Sequence, residues 1–327
     1  MIPRYPNRVN LALLPTPVQP MDRLSRRLNG PQLFIKRDDQ TGLATGGNKT
    51  RKLEFLVADA LAQGCDHLIT TGGPLSNHCR QTAAAAAQCG LGCSLVLRGA
   101  EPAEFTGNLL LDRLLGAHIY WTKGEALQKV ISQVSSEVTS MGRQPYVIPL
   151  GGSNVMGATS YVMAMQELME QLATLQINID FIVVPSSSGG TQAGLVLGAA
   201  ASGYRGKILG ISIDQEAGVL QTQVAALATA TATHLGLEPV TLAGLVEVND
   251  DYLGGGYGVV CDGEREAIET VAQTEGILLD PVYTARAMAG LIDLIRWGAF
   301  TRGQRILFWH TGGIPNLFSY TEKLLSP

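Results

Sequence analysis

The segment GGNKTRKLEF, residues 46–55, places two glycines before three cations within four residues. This pattern predicts a helix that begins beside the glycines, with Asn48 as its cap. Helical residues are rotated by about 100° per step, so Arg51 and Lys52 lie roughly 200° and 300° round from Lys49. We therefore expect Lys49 to face inward, where a desolvated amine becomes a nucleophile or base, and the other two to be solvated. A fully solvated basic helix start is the alternative.

A second segment, SSSGGTQAG, has the composition of an anion-binding turn. It follows an apolar strand predicted over residues 181–185 and opens a helix, so backbone N–H groups and the helix dipole would attract a phosphate. It lacks the GxxxxGK[ST] and GxGxxG spacings of nucleotide-binding loops. A glycine-rich turn that only caps its helix is the alternative. The predicted phosphate-binding residues are Ser187, Ser188, Gly189, Gly190 and Thr191.

A poised lysine and a phosphate-binding turn together suggest pyridoxal 5'-phosphate as the cofactor. The scaffold that must position them is predicted by apolar strands that alternate with helices through most of the chain. This alternation indicates an α/β fold with two lobes, in which parallel sheets carry helices on both faces. We predict a small α/β domain over residues 50–155 and a large cofactor-binding domain formed by residues 1–49 and 156–327, with the cofactor in the cleft between them.

Four glycine- and hydroxyl-rich loops should converge at the carboxyl ends of the strands, where ligands bind in such sheets. They are TGLATGGNK, TTGGPLSNHCR, VVPSSSGGTQAG and FWHTGG. Because four loops share one chemical character, they make a stronger signal for a binding site than any one of them alone.

The composition argues against several other classes of protein. The 327 residues are 46% hydrophobic and 16% charged, which is typical of a globular chain. A net charge of -4 gives no basic field, so no nucleic-acid partner is expected. No apolar stretch reaches the roughly 18 residues of a membrane span, and the N-terminus does not resemble a secretion signal. The five cysteines form no CxxC pair, so we predict a soluble cytoplasmic protein with no metal site.

Six motifs in order resemble a known family: GGNKTRKLE, GGPLSNHCRQTAA, SSGGTQAGL, GGGYG, LLDPVY and HTGG. The chain is similar over nearly its whole length to the D-cysteine desulfhydrase/1-aminocyclopropane-1-carboxylate deaminase family of pyridoxal-phosphate enzymes. The resemblance implies the tryptophan-synthase-β-like fold (fold type II), a pyridoxal 5'-phosphate cofactor, a small amino-acid substrate and a homodimer.

The resemblance also implies roles for individual residues. Lys49 matches the lysine that bonds to the cofactor and later moves the Cα proton. Ser76, Asn77 and His78 match the loop that binds the substrate carboxylate; Ser76 also lies near the proton that is removed, and Asn77 beside the cofactor's 3'-oxygen. His78 could instead bind a second anionic group on the substrate. The implied cofactor-binding residues are Lys49, Asn48, Asn77, Ser187, Ser188, Gly189, Gly190, Thr191 and Thr311.

Two tyrosines and two threonines bear on the reaction. Tyr257 and Tyr283 match the catalytic tyrosines that flank the reacting carbon. The deaminase branch looks to carry an acidic residue after the second tyrosine and an aliphatic residue before the final glycine pair, where this chain has Thr284 and Thr311. A hydroxyl cannot keep the pyridine nitrogen protonated as a carboxylate can, and the weaker electron sink suits β-elimination with a good leaving group.

The predicted reaction is therefore α,β-elimination of D-cysteine to pyruvate, sulfide and ammonia by a carbon-sulfur lyase. The alternatives are an L-cysteate sulfo-lyase or a 1-aminocyclopropane-1-carboxylate deaminase on the same scaffold, a β-replacement enzyme, and a catalytically inert cofactor-binding regulator. The choice of the D-enantiomer depends on the resemblance alone. Outside this site, we predict that His310 ends a buried strand with its ring hydrogen-bonded, and that Cys79 is a buried filler.

Overall fold

The computed structural model describes residues 3–237 and 242–325. Its strands are β1 (Val18–Pro20), β2 (Gln32–Arg37), β3 (His67–Gly72), β4 (Gly92–Leu97), β5 (His118–Trp121), β6 (Pro145–Val147), β7 (Phe181–Ser186), β8 (Lys207–Ser212), β9 (Glu247–Asn249) and β10 (Arg305–His310). Its helices are α1 (Asp22–Leu28), α2 (Asn48–Ala62), α3 (Asn77–Gln88), α4 (Gly107–Leu114), α5 (Leu127–Ser140), α6 (Val155–Leu175), α7 (Gly190–Ser202), α8 (Ala217–His234), α9 (Asp262–Glu275), α10 (Thr284–Arg296) and α11 (Thr321–Leu325).

Two sheets organise these elements, as the alternating pattern predicted. The larger sheet has the order β1-β2-β10-β7-β8-β9 and the smaller one β5-β4-β3-β6. All neighbouring strands are parallel except β1 and β2. The smaller sheet uses only strands between residues 67 and 147, whereas the larger sheet takes strands from both sides of that segment. The domain boundaries near residues 50 and 155 stay a prediction.

Burial on both faces explains the apolar strands. Every residue of β3 is buried, and β10 is buried after its first residue. Helix α7 approaches α6 closely because Gly194 and Gly198 have no side chain: a β-carbon on Gly194 would lie 2.2 Å from the carbonyl oxygen of Ala158. This packing fixes the start of α7 at the carboxyl end of β7. Among the described residues, no helix combines the length and the apolar character that a bilayer span requires.

The prediction that Arg51 is solvated is wrong. Arg51 is 2% exposed, and its Nη2 lies 2.9 Å from Asp38 Oδ1 and 2.8 Å from Glu167 Oε1. Asp38 also accepts hydrogen bonds from the hydroxyl of Tyr161 (2.6 Å) and from Nε1 of Trp309 (2.8 Å). The guanidinium therefore turns away from water because two carboxylates compensate its charge inside the protein.

Two other expectations about single residues are confirmed. Strand β10 ends at the fully buried His310, whose Nε2 lies 2.9 Å from the carbonyl oxygen of Leu278 and whose Nδ1 accepts from the backbone N–H of Gly312. Cys79 is buried in α3, and burial raises the pKa of its thiol well above the usual value. The thiol therefore behaves as an apolar filler and not as a nucleophile.

Candidate active site

A cavity of about 600 Å³ lies at the carboxyl ends of strands from both sheets. The ends of β3 and β7 and the segments that follow β4, β8 and β10 contribute to its wall, which is the place where parallel sheets bind ligands. Gly190 is the buried first residue of α7. The predicted site residues that line the cavity are Asn48, Lys49, Ser76, Asn77, His78, Ser187, Ser188, Gly189, Thr191, Tyr257, Tyr283 and Thr311.

Lys49 is the second residue of α2, directly after a tight glycine loop. Gly46 and Gly47 have φ values of 70° and 130°, and a β-carbon on Gly46 would lie 2.0 Å from the carbonyl oxygen of Asp39. Only glycine fits this path. Arg80 of α3 donates to the carbonyl oxygen of Gly46 (3.1 Å) and so fixes the loop from the side of the smaller sheet.

Asn48 does not cap α2 with its side chain, contrary to the prediction. The N-cap is Gly47, and Asn48 Nδ2 donates instead to Thr191 Oγ1 at 2.9 Å. This bond ties the lysine-bearing helix start directly to the predicted phosphate-binding turn. Asn48 therefore contributes to the site by joining its two halves.

Lys52, which was expected to be solvated, is a second amine of the site and, unlike the half-buried Lys49, is shielded from water. It is fully buried, and its Nζ lies 3.1 Å from the carbonyl oxygen of Gly151 and 3.2 Å from Ser153 Oγ. Burial lowers the pKa of Lys49 to about 8, and a hydrogen bond between the two amines partly opposes that shift. Burial and then the charge of Lys49 lower the pKa of Lys52 well below its usual value. A half-buried amine and a fully buried one side by side favour an anionic ligand beside them.

The turn before α7 has the geometry of an anion site. Gly189 adopts a left-handed conformation (φ 76°), and Ser188 Oγ lies 2.8 Å from Ser153 Oγ. A β-carbon on Gly190 would lie 2.8 Å from Lys52 Nζ, so the glycine is what lets this amine reach the turn. The N-terminus of a 13-residue helix, hydroxyl groups and a buried amine therefore meet at one point.

The hydroxyl of Ser187 is engaged by a neighbouring carboxylate, so its predicted part in phosphate binding would fall to its backbone N–H. Its Oγ donates to Asp214 Oδ2 at 2.9 Å, and Gln215 Nε2 donates to its carbonyl oxygen at 2.6 Å. The carboxylate of Asp214 lines the same cavity. Asp214 is not among the predicted site residues, although its position two residues after the apolar strand β8 was a usable signal.

The loop between β3 and α3 presents polar groups to the cavity. Ser76 caps α3 through an Oγ that accepts from the backbone N–H of Cys79 (3.1 Å), which leaves its hydroxyl proton for another acceptor. Asn77 Oδ1 accepts from Asn108 Nδ2 at 2.7 Å, so its amide NH₂ is the group available to a ligand. A helix start with a serine and an amide donor suits a carboxylate.

The side chain of His78 does not suit an anion, contrary to the prediction. Its Nε2 lies 2.9 Å from Thr70 Oγ1, which itself donates to the carbonyl oxygen of Ile148, so Nε2 carries the proton. The buried Nδ1 has no hydrogen-bond partner among the described residues. Burial, followed by the charges of Lys49 and Lys52, lowers the pKa of His78 well below its usual value. The ring is therefore neutral, with an unprotonated Nδ1 that is buried.

Tyr257 and Tyr283 form a hydrogen-bonded pair. Their hydroxyl oxygens are 2.6 Å apart, and their rings meet edge to face with centroids 5.8 Å apart. A β-carbon on Gly73 would lie 4.0 Å from Cε1 of Tyr257, which places this ring against the β3–α3 loop. Burial raises the pKa of both phenols above the usual value, so both stay protonated at neutral pH. One hydroxyl donates its proton to the other, and the hydroxyl that accepts keeps its own proton for a ligand.

Thr284 does not line the cavity as Thr311 does. Its hydroxyl donates to Asp280 Oδ1 (2.8 Å) and accepts from the backbone N–H of Asp280 (2.7 Å). The expectation that Thr284 contacts the pyridine nitrogen is therefore not supported, because its hydroxyl is occupied at the start of α10. Of the two threonines, Thr311 lines the cavity and Thr284 does not.

The donor set fits a ligand that carries both an aldehyde and a phosphate. Lys49 is an amine with a lowered pKa, and the turn before α7 together with Lys52 supplies donors for a phosphate. An α/β fold with these two groups at the carboxyl ends of its strands defines an enzyme that uses pyridoxal phosphate.

A family model described as "Pyridoxal-phosphate dependent enzyme" matches residues 9–312. The chain belongs to this family, is a lyase and uses pyridoxal phosphate. It is 43% identical to a D-cysteine desulfhydrase of Klebsiella pneumoniae, over 98% of each chain. It is 41% identical to a putative 1-aminocyclopropane-1-carboxylate deaminase of Pyrococcus abyssi, over 99% of this chain and 97% of the relative.

A solved structure described as the ACC deaminase homologue matches with a TM-score of 0.90 at 41% identity. The match covers 99% of this chain and 96% of that one. The predicted family, cofactor and fold type are therefore confirmed.

Replacing Lys52 with methionine is expected to weaken cofactor binding. The change removes one hydrogen-bond donor beside the turn before α7, which corresponds to a dissociation constant for pyridoxal phosphate roughly 10- to 100-fold higher. Titration of the apo-protein by absorbance measures this, with Lys207→Met, at an exposed ion pair, as the matched control. An unchanged dissociation constant would show that Lys52 does not contact the phosphate.

Proposed function

We propose that this enzyme catalyses the α,β-elimination of D-cysteine to pyruvate, sulfide and ammonia. The observation that carries the proposal is the hydroxyl of Thr311 in the cavity wall, where a strong electron sink would need an acid. Asp214 is the one carboxylate among the described residues that line the cavity, and its Oδ2 is occupied by Ser187. The carboxylate oxygens of Asp280 accept from the backbone N–H groups of Val282, Tyr283 and Thr284, at the entry to α10.

In this mechanism the bound cofactor supplies the electron sink for negative charge at the substrate Cα. The start of α3, with Ser76, holds the substrate carboxylate. The amine of Lys49 removes the Cα proton, and its pKa of about 8 keeps a useful fraction unprotonated near neutral pH. The Cβ–S bond then breaks, with its electron pair leaving on sulfur.

The tyrosine pair delivers a proton to the departing sulfur. Both phenols are protonated at neutral pH, and the hydrogen bond between Tyr257 and Tyr283 leaves one proton for the leaving group. The remaining aminoacrylate is released and hydrolyses to pyruvate and ammonia. The D-enantiomer, the homodimer and the cytoplasmic location stay predictions.

A second candidate is ring opening of 1-aminocyclopropane-1-carboxylate. It is favoured by the name given to the Pyrococcus abyssi relative. Ring opening has no leaving group to carry charge away, so it demands a stronger electron sink than Thr311 offers. The L-cysteate sulfo-lyase and the inert regulator are the remaining alternatives.

A substrate panel tests the proposal. The purified holoenzyme is given D- and L-cysteine, β-chloro-D-alanine, D-serine, L-cysteate and the cyclopropane amino acid, and 2-oxo acid, sulfide and sulfite are measured. We expect kcat/KM for D-cysteine to exceed that for the cyclopropane substrate by roughly 10²-fold or more. The reverse order would refute the argument from Thr311, and a coloured protein inert on every substrate would support the regulator.

A further inference from the structure

We propose that Asp214 is a specificity-determining residue that disfavours amino acids with an anionic side chain. The inference depends on the proposed function only in that an amino acid occupies this cavity. It narrows the substrate class to amino acids whose side chain carries no negative charge.

The carboxylate of Asp214 is held in the cavity wall by its neighbours. Asp214 follows β8 by two residues, and Oδ2 accepts from Ser187 Oγ at 2.9 Å. Gln215 Nε2 fixes the backbone carbonyl of Ser187 at 2.6 Å. Burial raises the pKa of Asp214, and the hydrogen bond from Ser187 and the charges of Arg286 and Arg98 oppose that shift. In its ionised form the carboxylate therefore acts on the ligand from a fixed position.

The charge of Asp214 reaches the place where the substrate side chain lies. Asp214, Tyr257 and Tyr283 all line the same cavity, whereas Asp280 does not. The charges of Asp280 and Asp214 both add to burial in raising the pKa of the two phenols, so the field of Asp214 extends to the two hydroxyl groups. With the substrate carboxylate at the start of α3, as proposed above, the substrate side chain would share the cavity with these tyrosines and with Asp214. A negative group there is repelled by Asp214, whereas a neutral thiol or chloride is not.

Arg98 offers an internal test of this electrostatic argument. It follows β4 directly, is exposed and lines the same cavity with the opposite charge. The other guanidinium that acts on Asp214, Arg286, is buried and paired with Glu264 at 2.7 Å. Removing the charge of Arg98 should therefore shift the preference in the direction opposite to removal of the charge of Asp214.

The experiment compares D-asparagine with D-aspartate, which have nearly the same shape and differ by one charge. Their dissociation constants for the holoenzyme are measured by calorimetry in the wild type, Asp214→Asn and Arg98→Gln. Ratios of kcat/KM for β-chloro-D-alanine and L-cysteate are measured alongside. We expect the wild type to prefer the neutral ligand, Asp214→Asn to reduce that preference about 10-fold, and Arg98→Gln to increase it.

Two outcomes would overturn the inference. One is a wild type that binds the two ligands equally well or prefers D-aspartate. The other is an Asp214→Asn variant that weakens both equally, because Asp214 would then only hold the Ser187 turn. Failure of the proposed function would look different: no pyruvate would form from D-cysteine, yet the ratio of the two dissociation constants would still report the charge preference.

Discussion

Replacing Lys49 with alanine is expected to lower the rate of elimination by roughly 10⁴-fold and to abolish covalent capture of the cofactor. The amine is placed at the cavity by a glycine path that no other residue fits, and burial lowers its pKa to about 8. It is thus both the group that reacts with the aldehyde and the base that moves the Cα proton. Removing it deletes both steps together.

Lys52 is a second amine close to Lys49, so the experiment must show which of the two bonds to the cofactor. Lys52 is also buried with a lowered pKa, but its Nζ is held by the Gly151 carbonyl and Ser153. It lies against Gly190, at the phosphate end of the site. We therefore expect Lys52 not to replace Lys49 as the covalent partner.

Borohydride reduction of the holoenzyme, followed by peptide mapping with fragmentation, locates the modified side chain. The wild type and Lys52→Met should both carry the pyridoxyl group on Lys49, and Lys49→Ala should carry none. Circular dichroism of each variant controls for folding. A label on Lys52 in the wild type, or one that persists in Lys49→Ala, would contradict the assignment.

The sequence predicted the elements and the position of Lys49 at the cavity because their signals are local. A lysine beside a glycine pair at the start of a helix, and a serine-glycine turn after an apolar strand, each lie within ten residues. Because the loops at the carboxyl ends of parallel strands meet at one edge of a sheet, the strand pattern alone predicts that these segments lie together.

The environment of the other two cations could not be predicted in this way, because their partners are distant in sequence. Arg51 pairs with Glu167, 116 residues away, and Lys52 with Gly151, 99 residues away. A helical wheel places a charge on a face but does not show what that face packs against. The spacing of three residues between Lys49 and Lys52 was nevertheless a usable signal, since such residues are neighbours on a helix surface.

Hydrogen-bond direction was the other information that the sequence lacked. The His78 ring was expected to bind an anion, but the Thr70 hydroxyl donates to the Ile148 carbonyl and so fixes the proton of His78 on Nε2. Thr284 likewise loses its predicted role because Asp280 lies within hydrogen-bond distance. Residue type alone does not reveal which partner a hydroxyl or a ring nitrogen takes.

Replacing Asp38 with asparagine is expected to destabilise the fold by about 3–5 kcal/mol. Asp38 is fully buried and accepts from Arg51, Tyr161 and Trp309, which join α2, α6 and β10 behind the site. The variant keeps the shape but leaves the buried guanidinium with only Glu167 as a charged partner. Urea unfolding followed by fluorescence measures the loss.

The matched control is Glu266→Gln. Glu266 pairs with Arg296 on the surface, where both side chains are about half exposed, so its loss should cost less than about 1 kcal/mol. Equal losses in the two variants would contradict the argument that burial makes the Asp38 pair the more important one.

The stabilisation that Asp38 provides is expected to depend on pH in a definite direction. Burial raises the pKa of Asp38, but the charges of Arg51 and Lys36 together lower it below the usual value. A carboxyl with a lowered pKa in the folded state contributes stability above its unfolded value, about 3.9, and loses that contribution as the pH falls. The difference between wild type and Asp38→Asn should therefore be full near pH 7 and shrink below about pH 4. A difference that stays constant into that acidic range would mean that the carboxylate's charge is not what stabilises this buried network.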